Sequence, residues 1–127
     1  MDESMMKHGM FSWCELMAKD IDAAKNFYSS LFGWKLEEMS MPGMTYTVVK
    51  CGDNGIGGMM QTPKGAEQCP PMWTCYVTVD DVDLTAKTAQ EMGAKIMVGP
   101  QDIPGVGRFC LIRDPQGAMI NAITYKR

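Results

Sequence analysis

The chain is 127 residues long, which is enough for one well-buried domain and too short for two independent ones. Its net charge of -3 argues against a nucleic-acid-binding surface, which needs a basic patch. No apolar run approaches the ~20 residues needed to span a bilayer, and the N-terminus lacks a charged-then-apolar signal pattern, so we expect no membrane association and a cytoplasmic location.

The first half of the chain predicts a strand, a capped helix and further strands. Residues 12–17 alternate as a strand does, and Asp20 can cap the following helix because its carboxylate accepts from a free N–H of the first turn. Apolar residues recur at helical spacing until Gly33, where a left-handed residue ends the helix. Further strands are predicted at residues 34–39, 46–51 and 57–61, with turns at Pro42-Gly43 and Asn54-Gly55.

The second half repeats this order. Asp20-Ile21-Asp22 corresponds to Asp81-Val82-Asp83, and Gly33 corresponds to Gly93. The glycine- and proline-rich stretch from Gly99 to Gly107 is predicted as a long loop, followed by strands at residues 108–112 and 118–123. We therefore predict a single domain over residues 1–127, built from module 1 (residues 9–62), a linker (residues 63–71) and module 2 (residues 72–125).

Two local expectations concern the terminus and the cysteines. Residues 1–8 are polar and irregular and are expected to fray. The five cysteines contain no C-x-x-C pair. Four of the five lie in predicted strands, where cysteine behaves as a small buried hydrophobe, and Cys69 in the linker is the expected exposed exception.

Two βαβββ modules, the run D-x-D-x-A-x-x-F-Y-x-x-x-F-G-W from Asp20 and D-P-x-G from Asp114 resemble the vicinal oxygen chelate superfamily. That family contains glyoxalase I, bleomycin-resistance proteins and extradiol dioxygenases. The resemblance runs from about Gly9 to Tyr125 and implies an α+β fold with a curved eight-stranded mixed sheet and a homodimer. The first strand reads W-x-E-L from Trp13, as in the metal-free, bleomycin-resistance-like or antigen-like branch.

In metal-dependent members of the family, the first and last strands of each module supply ligands to one divalent ion. The resemblance places these positions at Trp13, Thr74 and Asn121, and at Met59 or Met60 in the first module. Such side chains cannot hold a catalytic first-row ion, because indole only donates and neutral hydroxyl and amide oxygens are weak ligands. The single histidine of the chain cannot build a two-histidine triad. We predict no metal and no other cofactor.

Strand parity puts Trp13, Glu15 and Met17 on one face, and the resemblance implies that this face lines a ligand cavity. There Glu15 either anchors a ligand or acts as a general base, or it is satisfied structurally by a hydroxyl group, a loop lysine or Arg108. Aromatic side chains there can stack on a planar ligand or simply fill the core. The predicted ligand-binding residues are Trp13, Glu15, Tyr46, Met60, Thr74, Tyr76, Arg108 and Asn121, and Glu15 is the one catalytic candidate.

Three functional hypotheses follow. The first is a small-molecule-binding protein of the superfamily that lacks the usual divalent metal site. The second is a glyoxalase-like lyase or isomerase in which Glu15 is the base and hydrogen-bond donors stabilise an enediolate. The third is a dimeric interaction protein with a vestigial cavity. No sequence feature identifies the small organic ligand.

Overall fold

The computed structural model describes residues 2–41 and 44–126, so the turn predicted at Pro42-Gly43 lies outside the described residues. The α+β class is confirmed, with two βαβββ modules and eight strands in mixed pairing. A short 3-10 helix at Glu3–Met6 precedes β1 (Phe11–Ala18), α1 (Ile21–Phe32), β2 (Lys35–Met41), β3 (Met44–Cys51), β4 (Asn54–Gln61), β5 (Met72–Thr78), α2 (Val82–Glu91), β6 (Lys95–Ile103), β7 (Gly107–Arg113) and β8 (Met119–Tyr125). Neither helix of the described chain has the length and apolar character of a membrane span.

The chain divides into two compact units. The β1–β4 unit comprises residues 13–73, and the β5–β8 unit comprises residues 74–126 together with residues 2–12. The strand order is β2-β3-β4-β1 in the first and β5-β8-β7-β6 in the second. In each unit the first strand runs parallel to the last, while the remaining neighbours are antiparallel.

Both helices begin where the predicted caps place them. The Asp20 carboxylate accepts from the Ala23 N–H at 3.0 Å, and the Asp81 carboxylate accepts from the Leu84 N–H at 3.1 Å. α1 is followed by Gly33 at a φ of 70°, the left-handed conformation that suits glycine. These boundaries depend only on side chains within a few residues of each helix end, which is why the sequence pattern predicts them.

Each unit buries one face of its strands against its own helix. In the β1–β4 unit the buried cluster consists of Leu16, Ala18, Val49 and Met59. The partly buried side chains packed against it come mainly from α1 and its exit, namely Ile21, Ala24, Tyr28, Trp34 and Leu36. Because side chains alternate along a strand, Trp13, Glu15 and Met17 lie on the face of β1 opposite α1. The equivalent cluster of the β5–β8 unit is Val79, Val82, Ala86, Cys110, Ile112 and Ala122.

The prediction of a long loop from Gly99 to Gly107 is wrong. β6 continues to Ile103, and Gln101 pairs with Phe109 after a shift of register. Glycine and proline here mark an irregularity within a strand, where backbone pairing with β7 outweighs local propensity. Only residues 104–106 connect the two strands.

The β3–β4 hairpin is also displaced from its predicted turn. Cys51 pairs with Asn54, so the two turn residues are Gly52 and Asp53 and not Asn54-Gly55. Gly52 supplies the positive φ, at 61°. Gly55 is consequently free to take part in β4.

The N-terminal arm does not fray as expected, because its backbone pairs with the end of β5 within the β5–β8 unit. The Gly9 N–H donates to the Thr78 carbonyl at 2.7 Å, and the Thr78 N–H donates to the Met10 carbonyl at 2.9 Å. The Thr78 hydroxyl also donates to the Met5 carbonyl. Just beyond β5, the Asp80 N–H donates to His8 Nδ1 at 2.9 Å.

The cysteine expectation is mostly wrong. Cys69 is buried within a turn closed by its own N–H, which donates to the Ala66 carbonyl at 2.9 Å. Cys14, Cys51 and Cys75 are exposed although they lie in strands. Only Cys110 is a buried strand cysteine, because its side chain alone among the strand cysteines points into a helix-covered core.

Candidate functional site

Three predicted site residues are joined by hydrogen bonds in the β1–β4 unit. Trp13 Nε1 donates to the Tyr46 hydroxyl at 2.8 Å, and that hydroxyl donates to Glu15 Oε2 at 2.7 Å. An indole N–H can only donate, so the Tyr46 oxygen accepts from it and the tyrosine proton points to the carboxylate. Glu15 is only 7 % exposed, so the acceptor of the Tyr46 proton is buried.

Tyr46 has room for its hydroxyl because residue 58 is glycine. A Cβ atom at Gly58 would lie 1.8 Å from the Tyr46 hydroxyl oxygen and 2.2 Å from its Cζ atom, far inside any contact distance. At Gly55 a Cβ atom would meet the nearest Trp13 atom at 3.7 Å, which is ordinary contact. Gly58 was not among the site residues predicted from the sequence. The available signal was a glycine inside a strand, which often marks close approach of another group.

The strand register also corrects the correspondence between the modules. Glu15 is opposite Gly58 in the parallel β1–β4 pair, and its counterpart Tyr76 is opposite Asn121 in the parallel β5–β8 pair. Gly58, rather than Met59 or Met60, therefore corresponds to Asn121. Met59 belongs instead to the core beneath α1, where it is fully buried.

The β5–β8 unit contains three further predicted residues on neighbouring strands. Asn121 Nδ2 donates to the Thr74 hydroxyl at 2.8 Å, and both side chains are buried. Tyr76 is buried as well, with its ring centroid 6.3 Å from that of Phe109. Thr74 and Asn121, which occupy two positions used for ligands by metal-dependent members of the family, are thus hydrogen-bonded to each other.

Arg108 lies in an ion-pair cluster between α2 and β6. Its guanidinium contacts the Asp83 carboxylate at 3.0 Å and the Asp102 carboxylate at 3.2 Å. Hydrogen bonds to Asp83 and then to Asp102 raise the pKa of the Arg108 side chain above its usual value. Any ligand contact by Arg108 would compete with these two carboxylates.

Met60 lines a groove of about 920 Å³ beside the start of α1, within the β1–β4 unit. The walls carry charges of both signs, and Lys25 forms an ion pair there with Glu38. The buried Thr62 hydroxyl, also on this wall, makes no hydrogen bond within the described part of the chain. This mixture of charges favours no single class of ligand.

The residues present do not fit the divalent ion of metal-dependent family members. The Trp13 N–H donates to Tyr46, Thr74 is bonded to Asn121, and Gly58 has no side chain. Across residues 2–41 and 44–126, no group of three or more His, Cys, Asp or Glu side chains could hold a metal. The chemistry of this face therefore has to be derived from Trp13, Tyr46 and Glu15.

Comparison with known proteins agrees with the fold. The sequence model of the Glyoxalase/Bleomycin resistance protein/Dioxygenase superfamily matches residues 10–122. The methylmalonyl-CoA epimerase of Mycobacterium tuberculosis superposes with a TM-score of 0.60 at 14 % identity, over 94 % of this chain and 91 % of that one. At this identity the likeness concerns the fold alone.

Two curated relatives are more similar in sequence. CFP32 of Mycobacterium bovis, provisionally named a glyoxylase, is 38 % identical over 116 residues, which are 91 % of this chain and 44 % of that protein. Anthracycline biosynthesis protein DnrV of Streptomyces peucetius is 31 % identical over 123 residues, covering 87 % of this chain and 45 % of that one. The chain spans less than half the length of these relatives. With the family match over most of its residues, the chain belongs to the Glyoxalase/Bleomycin resistance protein/Dioxygenase superfamily.

Proposed function

We propose that this protein binds a small organic molecule on the face of the β1–β4 unit that carries Trp13, Tyr46 and Glu15, without a divalent metal. The observation that carries the proposal is the directed chain of hydrogen bonds from Trp13 through Tyr46 to Glu15. Trp13 and Tyr46 are only partly buried, so their rings keep surface that a ligand can cover. An apolar surface with a few fixed polar groups is typical of small-molecule sites.

The other predicted contacts stay part of the proposal. Thr74, Tyr76 and Asn121 are candidate ligand contacts of the β5–β8 unit. Met60 lines the charged groove beside the start of α1, and Arg108 forms ion pairs with two aspartates. A homodimer and a cytoplasmic location, both predicted from the sequence, are proposed with them.

A glyoxalase-like lyase or isomerase is the second candidate, and the name of CFP32 favours it. In that reaction Glu15 would take the substrate proton, and Tyr46 would steady the carboxylate with its hydroxyl. The same three side chains serve both candidates. A bound compound that is converted over time, followed by proton NMR, would support the enzyme, and an unchanged compound would support binding alone.

The test of binding is a thermal-shift screen of small organic compounds, run once with chelator and once with added divalent metals. A ligand that binds only the folded state stabilises it by mass action and so raises the melting temperature. At a free ligand concentration of a hundred times Kd, the free energy of unfolding rises by about 2.7 kcal/mol. We expect the shifts of true ligands to persist in chelator. Shifts that appear only when a divalent metal is added would contradict the proposal.

A further inference from the structure

We infer that Gly58 selects the chemistry of the ligand anchor in the β1–β4 unit and that the ligand is a planar molecule carrying an N–H or O–H donor. The inference rests on the proposed binding function and adds the class of ligand and the residue that determines it. It follows from three features of the same face: the space above Gly58, the direction of the hydrogen bonds and the placement of the rings.

The first feature is the space. Gly58 of the β1–β4 unit is equivalent to Asn121 of the β5–β8 unit, because the two residues hold the same position in the strand pairing of their units. Here the Tyr46 hydroxyl occupies that space, since its oxygen lies 1.8 Å from where a Cβ atom would be. No residue with a side chain fits at position 58 while Tyr46 stays in place. Because Gly58 in β4 has no side chain, the hydroxyl group of Tyr46 in β3 occupies the space where a side chain of residue 58 would lie.

The second feature is the direction of the hydrogen bonds. A divalent ion attracts electron-rich oxygen atoms, such as those of a carboxylate or a ketone. Here the hydrogen bonds run instead from Trp13 through Tyr46 to Glu15, whose oxygen Oε2 accepts the Tyr46 proton. A carboxylate has several acceptor positions, attracts donors and repels another carboxylate. The preferred partner of this anchor is thus opposite in polarity to the ligand of a metal centre.

The third feature is the placement of the rings. Trp13 lies over Gly55 at ordinary contact distance, and Tyr46 lies over Gly58. Both side chains are partly exposed and are tied together by the bond between the indole nitrogen and the hydroxyl. Aromatic surface held in this way favours a flat partner through stacking or edge contact.

The role of Gly58 is tested by a double-mutant cycle with Tyr46→Val, using urea unfolding. Gly58→Ala should destabilise the native protein, but should cost far less in the Tyr46→Val background, where the ring has gone. Gly55→Ala is the matched control on the same strand, and it should cost little in either background. An equal effect of Gly58→Ala in both backgrounds would overturn the assignment of Gly58.

The ligand class is tested with tryptamine and indole-3-acetate, which share one ring system and end in an ammonium donor or a carboxylate. Calorimetry in chelator should show that the native protein binds tryptamine at least about tenfold more tightly, as expected for one charge-assisted hydrogen bond. Glu15→Gln should reduce this preference, because an amide presents both a donor and an acceptor. Glu91→Gln, which makes the same change at an exposed carboxylate of α2, is the control and should keep the preference.

Equal binding of both probes, or preference for indole-3-acetate, would overturn the donor class and leave the binding function standing. Binding of neither probe would also overturn it, because a planar donor would then not be recognised. In that case the compound screen described above decides the binding function independently. A ligand found in that screen that bears only acceptor groups would count against the donor class as well.

Discussion

At the scale of single residues, Tyr46 is the centre of the candidate site because its hydroxyl oxygen takes part in the hydrogen bonds with both Trp13 and Glu15. It accepts from Trp13 and donates to Glu15, so the loss of this atom affects two polar partners at once. Burial makes such losses costly, since a buried polar group has no water to replace its partner. The aromatic ring itself contributes shape and stacking surface.

Tyr46→Phe should therefore lower the free energy of unfolding by roughly 1–3 kcal/mol, the usual cost of leaving a buried donor or acceptor unsatisfied. Urea denaturation followed by tryptophan fluorescence measures the change. Tyr28→Phe is the matched control, because its hydroxyl accepts one exposed hydrogen bond from Trp73. A Tyr46→Phe variant no less stable than Tyr28→Phe would show that the chain of hydrogen bonds contributes nothing to the fold.

The cysteines give a second test at the residue scale. Burial raises the pKa of the Cys110 thiol to about 11. The reactive thiolate of Cys110 is therefore scarce at pH 8. Cys69 is buried too, whereas Cys14, Cys51 and Cys75 are exposed. With iodoacetamide at pH 8, mass spectrometry of the native protein should find the exposed cysteines labelled first. Early labelling of Cys110 would contradict its burial.

At the scale of helices and strands, the sequence predicts whatever is decided locally. The helix starts at Asp20 and Asp81 were predictable because each cap bonds a backbone N–H three residues away. The extension of β6 to Ile103 was not, because it depends on pairing with β7 across a register shift. Gly58 escaped notice for the same reason, since the Tyr46 side chain comes from another strand. Strand parity nevertheless grouped Glu15 with Trp13 and Met17 on one face of the strand, and Glu15 is buried in the structure.

The outer face of α1 bears on the proposed homodimer. Phe27 is 60 % exposed, and Leu31 and Phe32 are each 57 % exposed. No charged residue occurs from Asn26 to Trp34. A two-fold contact sets identical residues near each other, so an uncharged apolar face can meet its own copy without repulsion. At α2, by contrast, the exposed apolar residues are Leu84 and, just after the helix, Met92. The exposed charged residues Lys87 and Glu91 lie between them in the sequence.

We therefore expect light scattering at micromolar concentration to give twice the chain mass of 14.1 kDa. Phe27→Ser should shift this mass towards one chain, because a two-fold contact loses the aromatic ring twice. Leu84→Ser, at an equally exposed position on α2, is the control and should leave the mass unchanged. A native mass near that of one chain would contradict the homodimer, and insensitivity to Phe27→Ser would exclude this face of α1.

At the scale of the whole molecule, the chain has the fold of its superfamily, but the residues at the positions that hold the ion in metal-dependent members are poor metal ligands. The purified protein should accordingly carry no stoichiometric Zn, Ni, Mn or Fe, because Trp13, Gly58, Thr74 and Asn121 offer no suitable ligands. Elemental analysis by mass spectrometry measures this, and chelator should leave the melting temperature unchanged. One ion per chain, retained when the arm carrying His8 is deleted, would refute the assignment of these positions.

Glu15, as the polar anchor of the ligand site, is the residue on which the proposed binding depends most. For a ligand found in the compound screen, calorimetry on Glu15→Gln in the presence of chelator should show binding weakened by roughly 1–3 kcal/mol, the loss of a charge-assisted hydrogen bond. The free energy of unfolding should change little or rise, because a buried charge is removed while its shape is kept and the amide oxygen can still accept from Tyr46. The opposite pair of results, with lower stability and unchanged affinity, would show that Trp13, Tyr46 and Glu15 form a structural network and not a binding site.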